Sequence, residues 1–341
     1  MLSKLVADSG APTVAVVGLA KNAGKTVALN SLVSQAARAA VPLGLTSLGY
    51  DGERVDRLTR QAKPHILVQP DAIIATAQGT LERATAGLEL LRITGHRTAL
   101  GPVVLARVRE PGTVELAGPA ALADLQRVAD AMLGLGATHV LIDGALNRLG
   151  SAAPRVSQAT ILATGASVAP SPAQVVPRTM HAVALLTAGP PPPAVAQAAQ
   201  AAFAAERVLF WQSERGAWES SQPTVLGQPA QIMAELGEAS HLCIPGAVTN
   251  SLVQALLQHV PAAKALPTIV VPAGTHIFAT PGVWQRYLAR GGNLAALQSA
   301  PVLAVTVNPG QMADLGQALA NALHPLPVYD LFHDDQNPIT P

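Results

Sequence analysis

The residues best suited to chemistry stand near the N-terminus, in Val14-Ala-Val-Val-Gly-Leu-Ala-Lys-Asn-Ala-Gly-Lys-Thr26. An apolar run leads into a loop that ends in Gly24-Lys25-Thr26, and a stretch of helical period follows. In that setting successive backbone N–H groups face an anion, and the positive end of a helix dipole favours its charge. Lys25 would reach the β- and γ-phosphates of a nucleoside triphosphate, and the Thr26 hydroxyl would ligate Mg²⁺. The phosphate-binding residues are then Gly18, Lys21, Asn22, Ala23, Gly24, Lys25, Thr26 and Val27. The usual loop places four residues between its first glycine and Gly-Lys-Thr; here Gly18 is followed by five. The competing reading is an ordinary strand-to-helix turn, and the strand before and helix after argue against it.

A second group of candidates ends another apolar run, His139-Val-Leu-Ile-Asp143-Gly-Ala-Leu-Asn-Arg148. A buried strand ending in an acid is the Walker B arrangement, in which Asp143 would bind Mg²⁺ through water. Gly144 would let the backbone pass close to the γ-phosphate, with Asn147 and Arg148 facing the same pocket. The alternative for Asp143 is a helix cap. A third group, Thr46-Ser-Leu-Gly-Tyr-Asp-Gly-Glu-Arg-Val-Asp56, follows what should be the second strand. Asp51, Glu53 and Asp56 would hold Mg²⁺ or position an attacking group, Asp51 foremost because it is nearest the strand end. A Gly-rich turn capped by acids explains them equally well. Lys25, Asp143 and Asp51 are thus the catalytic candidates, and Thr26, Asp51, Glu53 and Asp143 the metal ligands.

Weaker signals lie elsewhere. Arg109 and Glu115, in a loop expected to follow a third parallel strand, read as substrate contacts or as a surface ion pair. Thr164 and Gly165 end a further strand, where a nucleotide base or only a tight turn would sit. Cys243 is the only cysteine, so there is no intramolecular disulfide and no cysteine-based zinc site; its apolar neighbours suggest a packed thiol. His333, Asp334 and Asp335 in the polar tail are metal-ligand types, though a solvated terminus accounts for them.

The elements that must hold these residues follow from the pattern. Short apolar runs alternate with Ala/Leu-rich helical stretches, the mark of an α/β parallel sheet buried on both faces. Strands are predicted at Thr13–Val17, Leu43–Ser47, Val103–Val108, His139–Asp143 and Ile161–Thr164, with helices at Thr26–Ala40 and Ala120–Leu135. The chain's 341 residues suit two domains. Ala188-Gly-Pro-Pro-Pro-Pro193 is read as the boundary, giving a P-loop domain over 1–190 and a smaller α/β domain over 195–341. That second half is predicted to hold strands at Arg207–Trp211, His241–Ile244, Thr268–Val271, Val302–Val307 and Val328–Leu331, and helices at Thr249–His259, Pro281–Ala289 and Gln311–Leu323. Hydrophobic residues make up 49% and charged ones 13%, with a net charge of +1. That leaves no basic face for nucleic acid, and no apolar run of membrane-spanning length is present. The N-terminus turns polar too early for a signal peptide, so a cytoplasmic protein is expected.

The order Leu-Ala-Lys-Asn-Ala-Gly-Lys-Thr26, Ser-Leu-Gly-Tyr-Asp-Gly-Glu53, Val-Glu-Leu-Ala-Gly-Pro119, Ile-Asp-Gly-Ala-Leu-Asn-Arg148 and Ile-Leu-Ala-Thr-Gly-Ala166 resembles the P-loop subunit of the lysine 5,6-aminomutase reactivase. The five-residue spacing and Gly24-Lys-Thr-Val-Ala28 are also similar to dethiobiotin synthetase, and Lys21-Asn-Ala-Gly-Lys-Thr26 to the molybdopterin-guanine-dinucleotide accessory GTP-binding protein. The reactivase resemblance covers residues 12–170. It implies a slow ATPase of reactivase or chaperone type, acting on an adenosylcobalamin-dependent aminomutase with a second reactivase subunit. The rivals are a ligase or kinase of the dethiobiotin synthetase type, a GTP-binding cofactor chaperone, and a protein that binds nucleotide only as a structural ligand. The acidic stretch after the second strand disfavours the ligase, which should carry a basic residue there. The missing Asn/Thr-Lys-x-Asp motif tilts the base from GTP to ATP. Homodimerisation is left open.

Overall fold

A computed structural model of the chain describes residues 1–49, 65–144, 156–333 and 337–341. The fold is α/β, with a large, mostly parallel sheet and a smaller one, and it divides into two compact units. Unit 1 comprises Met1–Met180 and Ala300–Pro341; unit 2 comprises His181–Ser299.

Unit 1 begins with helix α1 (Leu2–Asp8), strand β1 (Thr13–Gly18), α2 (Lys25–Arg38) and β2 (Leu43–Ser47). There follow β3 (Ile66–Val68), β4 (Ile73–Ala77), α3 (Gln78–Leu81), β5 (Gly87–Thr98), β6 (Gly101–Glu110) and β7 (Gly112–Val114). Then come α4 (Leu122–Gly134), β8 (His139–Asp143), β9 (Ala159–Gly165) and α5 (Pro172–Leu186), which contains the unit boundary. Unit 2 holds α6 (Pro193–Ala204), β10 (Leu209–Gln212), β11 (Gly216–Glu219), α7 (Pro229–Leu236), β12 (His241–Cys243), α8 (Asn250–His259), β13 (Thr268–Ala273), α9 (Pro281–Ala289) and β14 (Leu294–Gln298). The chain then returns to unit 1 as β15 (Val302–Asn308), α10 (Leu315–Leu323) and β16 (Val328–Tyr329).

The nine-stranded sheet of unit 1 runs β16-β15-β9-β1-β8-β2-β4-β6-β5. From β16 to β4 every pairing is parallel; β6 is antiparallel to both β4 and β5. Strand side chains alternate between faces, and the apolar runs serve both. Leu141 joins Val14, Val16, Leu29 and Leu32 on the α1/α2 face, while Val140 and Ile142 pack with Leu125, Val128 and Met132 of α4 on the other. Double coverage explains why β1 and β8 read as continuous hydrophobic runs rather than as alternating ones. Unit 2 is built on the sheet β11-β10-β12-β13-β14, parallel from β12 to β14, around Phe210, Leu242, Ile269, Trp284 and Tyr287. Among the described residues no helix is long and apolar enough to cross a membrane.

Two expectations about organisation differ from this. The boundary expected at the proline run, with 195–341 as one domain, is replaced by an insertion: β15 pairs with β9, from Val302↔Thr160 to Asn308↔Gly165, so residues 300–341 complete the first unit. The proline run lies inside unit 2, joining α5 to α6, and Gly189 accepts a bond from Ala296 N at 2.9 Å. The strand expected at Val103–Val108 belongs to β6 and is not parallel. It is the returning arm of a long hairpin, joined to β5 by a turn at Gly101 with φ 104°.

Candidate functional site

The site is assembled where the C-terminal ends of β1 and β8 meet the N-terminus of α2. Register places Asp143 beside Val16 of β1 on one side and Ser47 of β2 on the other. The central strands thus put an acid at the sheet edge next to the loop that follows β1. Leu19 N donates to Ala163 O of β9 at 2.9 Å, which fixes the start of that loop. Ala23 is buried at 1% exposure and its N–H returns to Ala20 O.

The backbone of this loop enters the left-handed region twice. Asn22 (φ 62°) and Gly24 (φ 101°) are left-handed, with Ala23 between them. Left-handed residues of this kind let a short loop turn its N–H groups toward an anion, although the Ala23 N–H is itself taken up by Ala20 O at 3.3 Å. Gly24 is the N-cap of α2, and the helix carries no acid in its first turn and Arg38 in its last. Its positive end is therefore available to a ligand anion, with a cation at the other end. Gly18 faces the Lys25 stem: a Cβ there would lie 2.9 Å from Lys25 Cγ and 3.0 Å from Cδ. Only glycine lets the lysine fold back over the loop, where its Nζ donates to Gly144 O at 2.6 Å. Gly144 N in turn donates to Val16 O at 3.0 Å, so the peptide after Asp143 is tied to β1. The half-buried Thr26, one residue into α2, makes no hydrogen bond through its hydroxyl among the described residues. Val27 continues the first turn of the helix.

The structure therefore brings together Gly18, Lys21, Asn22, Ala23, Gly24, Lys25, Thr26, Val27, Asp143 and Gly144. Their chemistry is of the kind a triphosphate with Mg²⁺ would need: a helix N-terminus, a cation, a hydroxyl and an acid on the neighbouring strand. Asp51, Glu53 and Asp56 lie outside the described residues, as do Asn147, Arg148, Asp334 and Asp335. Among the described residues, no three His, Cys, Asp or Glu side chains gather as a metal-holding group.

Other candidates have structural occupations. Arg109 pairs with Glu89 across the hairpin. Because β6 is antiparallel, with Arg107 opposite Ile73 at the start of β4, both arginines sit at the sheet edge opposite the Gly18–Val27 loop. Glu115 pairs with Arg83 at 2.6 Å. The Thr164 hydroxyl, fully buried, bonds that of Thr179 at 2.8 Å. Burial pushes the Cys243 thiol up to about 12, so it is a packed thiol rather than a nucleophile.

Two residues at the loop have no motif to announce them. Asn308, at the end of β15, donates from Nδ2 to Asn22 O at 3.2 Å, and its own backbone O accepts from Ala166 N at 2.9 Å. Phe332 lies against Gly24, with Cε2 3.7 Å from where a Cβ on that glycine would stand. Their signal in the sequence is slight: a polar residue ending an apolar run before Pro309-Gly310, and one aromatic in a polar tail. No family model matches the chain, and no curated protein or solved structure does.

Proposed function

We propose that unit 1 binds a nucleoside triphosphate with Mg²⁺ through the Gly18–Val27 loop and hydrolyses it slowly. The observation that carries this reading is the contact of Lys25 Nζ with Gly144 O at 2.6 Å. It brings the lysine at the N-terminus of α2 to the strand end that carries Asp143. In that reading the N–H groups of Gly24, Lys25 and Thr26 at the start of α2 hold the phosphates, and Lys25 exchanges its carbonyl partner for phosphate oxygens. Thr26 and Asp143 hold Mg²⁺, which supplies charge neutralisation between the phosphates. Asp51 and Glu53 are the remaining proposed metal ligands. ATP is preferred to GTP because the Asn/Thr-Lys-x-Asp motif is missing.

The resemblance of the motif order to the reactivase P-loop subunit supports a chaperone-type role. Nucleotide state would change the ordering of segments at the site, and differential affinity for a client would convert hydrolysis into work on that client. The proposed client is an adenosylcobalamin-dependent aminomutase, with a second reactivase subunit as partner. The test is nucleotide hydrolysis by the purified full chain with ATP and GTP, alone and with proteins that co-purify from its native extract, with Lys25→Ala as control. Slow, Lys25-dependent turnover that rises with a co-purifying aminomutase is the expected result. Absence of any Lys25-dependent nucleotide binding would overturn the P-loop reading. Turnover seen only with a small carboxylate or amine would replace the reactivase by a ligase.

A further inference from the structure

We propose that Phe332 is the stacking platform for the nucleobase, with the nucleoside lying on the β9–β15 side of the P-loop. The inference rests on the P-loop reading and adds a residue and a direction to it. Lys25 and Asp143 both meet at the end of β8, so the reactive end of a triphosphate held there points toward β8. We place its other end across Gly24, toward the opposite neighbour of β1, which in the sheet order is β9 and then β15. On that side the chain presents Asn308 and Phe332, with Asn308 Cβ 3.6 Å and the Phe332 ring 3.7 Å from the Cβ position of Gly24.

Phe332 is 49% exposed, an apolar ring left open beside a polar loop. Its backbone is nonetheless held. Phe332 N donates to Asp330 Oδ1 at 3.1 Å, and Asp330 Oδ2 lies 2.7 Å from His333 Nδ1. A ring presented by a stapled turn needs little ordering when a flat partner arrives, and an aromatic face suits any base. Asn308 is already engaged at both ends of its amide, Nδ2 on Asn22 O and Oδ1 on Gly310 N at 3.3 Å. It braces the loop, while the ring supplies the contact. Stacking does not read base edges, so adenine and guanine nucleotides should depend on Phe332 alike.

The experiment is calorimetric titration of the full chain with Mg–ATP, Mg–GTP and Mg–tripolyphosphate, for wild type, Phe332→Ala and Phe332→Tyr. Circular dichroism would confirm that each variant is folded. The alanine variant should bind both nucleotides about tenfold more weakly, the scale of one base–aromatic stack, and tripolyphosphate unchanged; tyrosine should restore wild-type affinity. Equal losses for tripolyphosphate would overturn the proposal, making the ring a support of the loop. Unchanged or tighter nucleotide binding by the alanine variant would also overturn it, the latter showing a ring that blocks the site. Failure of wild type to bind any of the three would bring down the P-loop reading itself.

Discussion

Placing a methyl group on Gly18 tests whether the path of Lys25 is what makes the loop competent. Gly18 has no left-handed backbone requirement, so Gly18→Ala changes little except the space available. The new carbon would stand 2.9 Å from Lys25 Cγ, 3.0 Å from Cδ and 3.3 Å from Ala20 O. Comfortable carbon contacts begin near ~3.5 Å, so the lysine stem must withdraw by about 0.5–1 Å. Its Nζ–O bond to Gly144 is 2.6 Å long, and such a withdrawal carries it to the limit of a hydrogen bond, about 3.2–3.5 Å. Loss of that bond at a half-buried lysine costs about 1 kcal/mol, a fall of about 2–4 °C in Tm. Charge-assisted bonds to phosphate contribute about 1.5–3 kcal/mol, so Mg–ATP should bind roughly tenfold to a hundredfold more weakly. Thermal melts and titration with a fluorescent ATP analogue would measure both effects. The decisive arm is a double-mutant cycle: once Lys25→Ala removes the stem, Gly18→Ala should cost almost nothing further. If Gly18→Ala binds as tightly as wild type, or costs as much without the lysine as with it, the steric argument is wrong.

Three further outcomes follow from the same geometry. In Gly165→Ala the added carbon would lie 2.2 Å from Asn308 O, a backbone atom that cannot swing aside; overpacking should cost about 2–3 kcal/mol, and a thermal melt identical to wild type would contradict the β9–β15 approach. Asp143→Asn should abolish the gain in ATP affinity that Mg²⁺ provides while leaving metal-free binding intact, and titrations with and without Mg²⁺ would expose a residue unconnected with the metal. In unit 2, burial holds His181, His241 and His276 below their ordinary value of 6.5, against smaller opposing backbone hydrogen bonds at His181 and His276. The unfolded chain therefore takes up protons that the native state refuses, and stability should fall as pH drops below about 6.5; a urea midpoint no lower at pH ~5 than at pH ~7.5 would refute this.

What the sequence discloses about this site is what short-range chemistry dictates. The passage from β1 through Gly24-Lys-Thr into α2 is written in consecutive residues, and β8 is legible because three apolar residues, Val140 to Ile142, end in one acid. The hairpin of β5 and β6 is not. Gly87–Thr98 carries Glu89, Arg92, His96 and Arg97, and its pairing with β6 shifts register at three places, so no clean alternation survives to mark a strand. Without β5, Val103–Val108 reads as parallel to its neighbours, which places Arg109 at the wrong edge of the sheet.

The return of the chain was hidden for a different reason. Parallel pairing of Val305 with Leu162 leaves no local trace, since each strand is simply a buried apolar run. The unit boundaries fall within α5 and just before Pro301, neither in a Gly/Pro-rich linker, whereas the conspicuous proline run lies wholly inside the second unit. Breaks in composition mark where helices must stop; a boundary is where contacts cease to cross, and the two need not coincide. That distinction matters for the candidate site, because Asn308 and Phe332 reach the Gly18–Val27 loop only if β15 and β16 belong to the same sheet as β1. A truncation at the proline run would therefore remove two strands and two side chains from the candidate site along with the inserted unit.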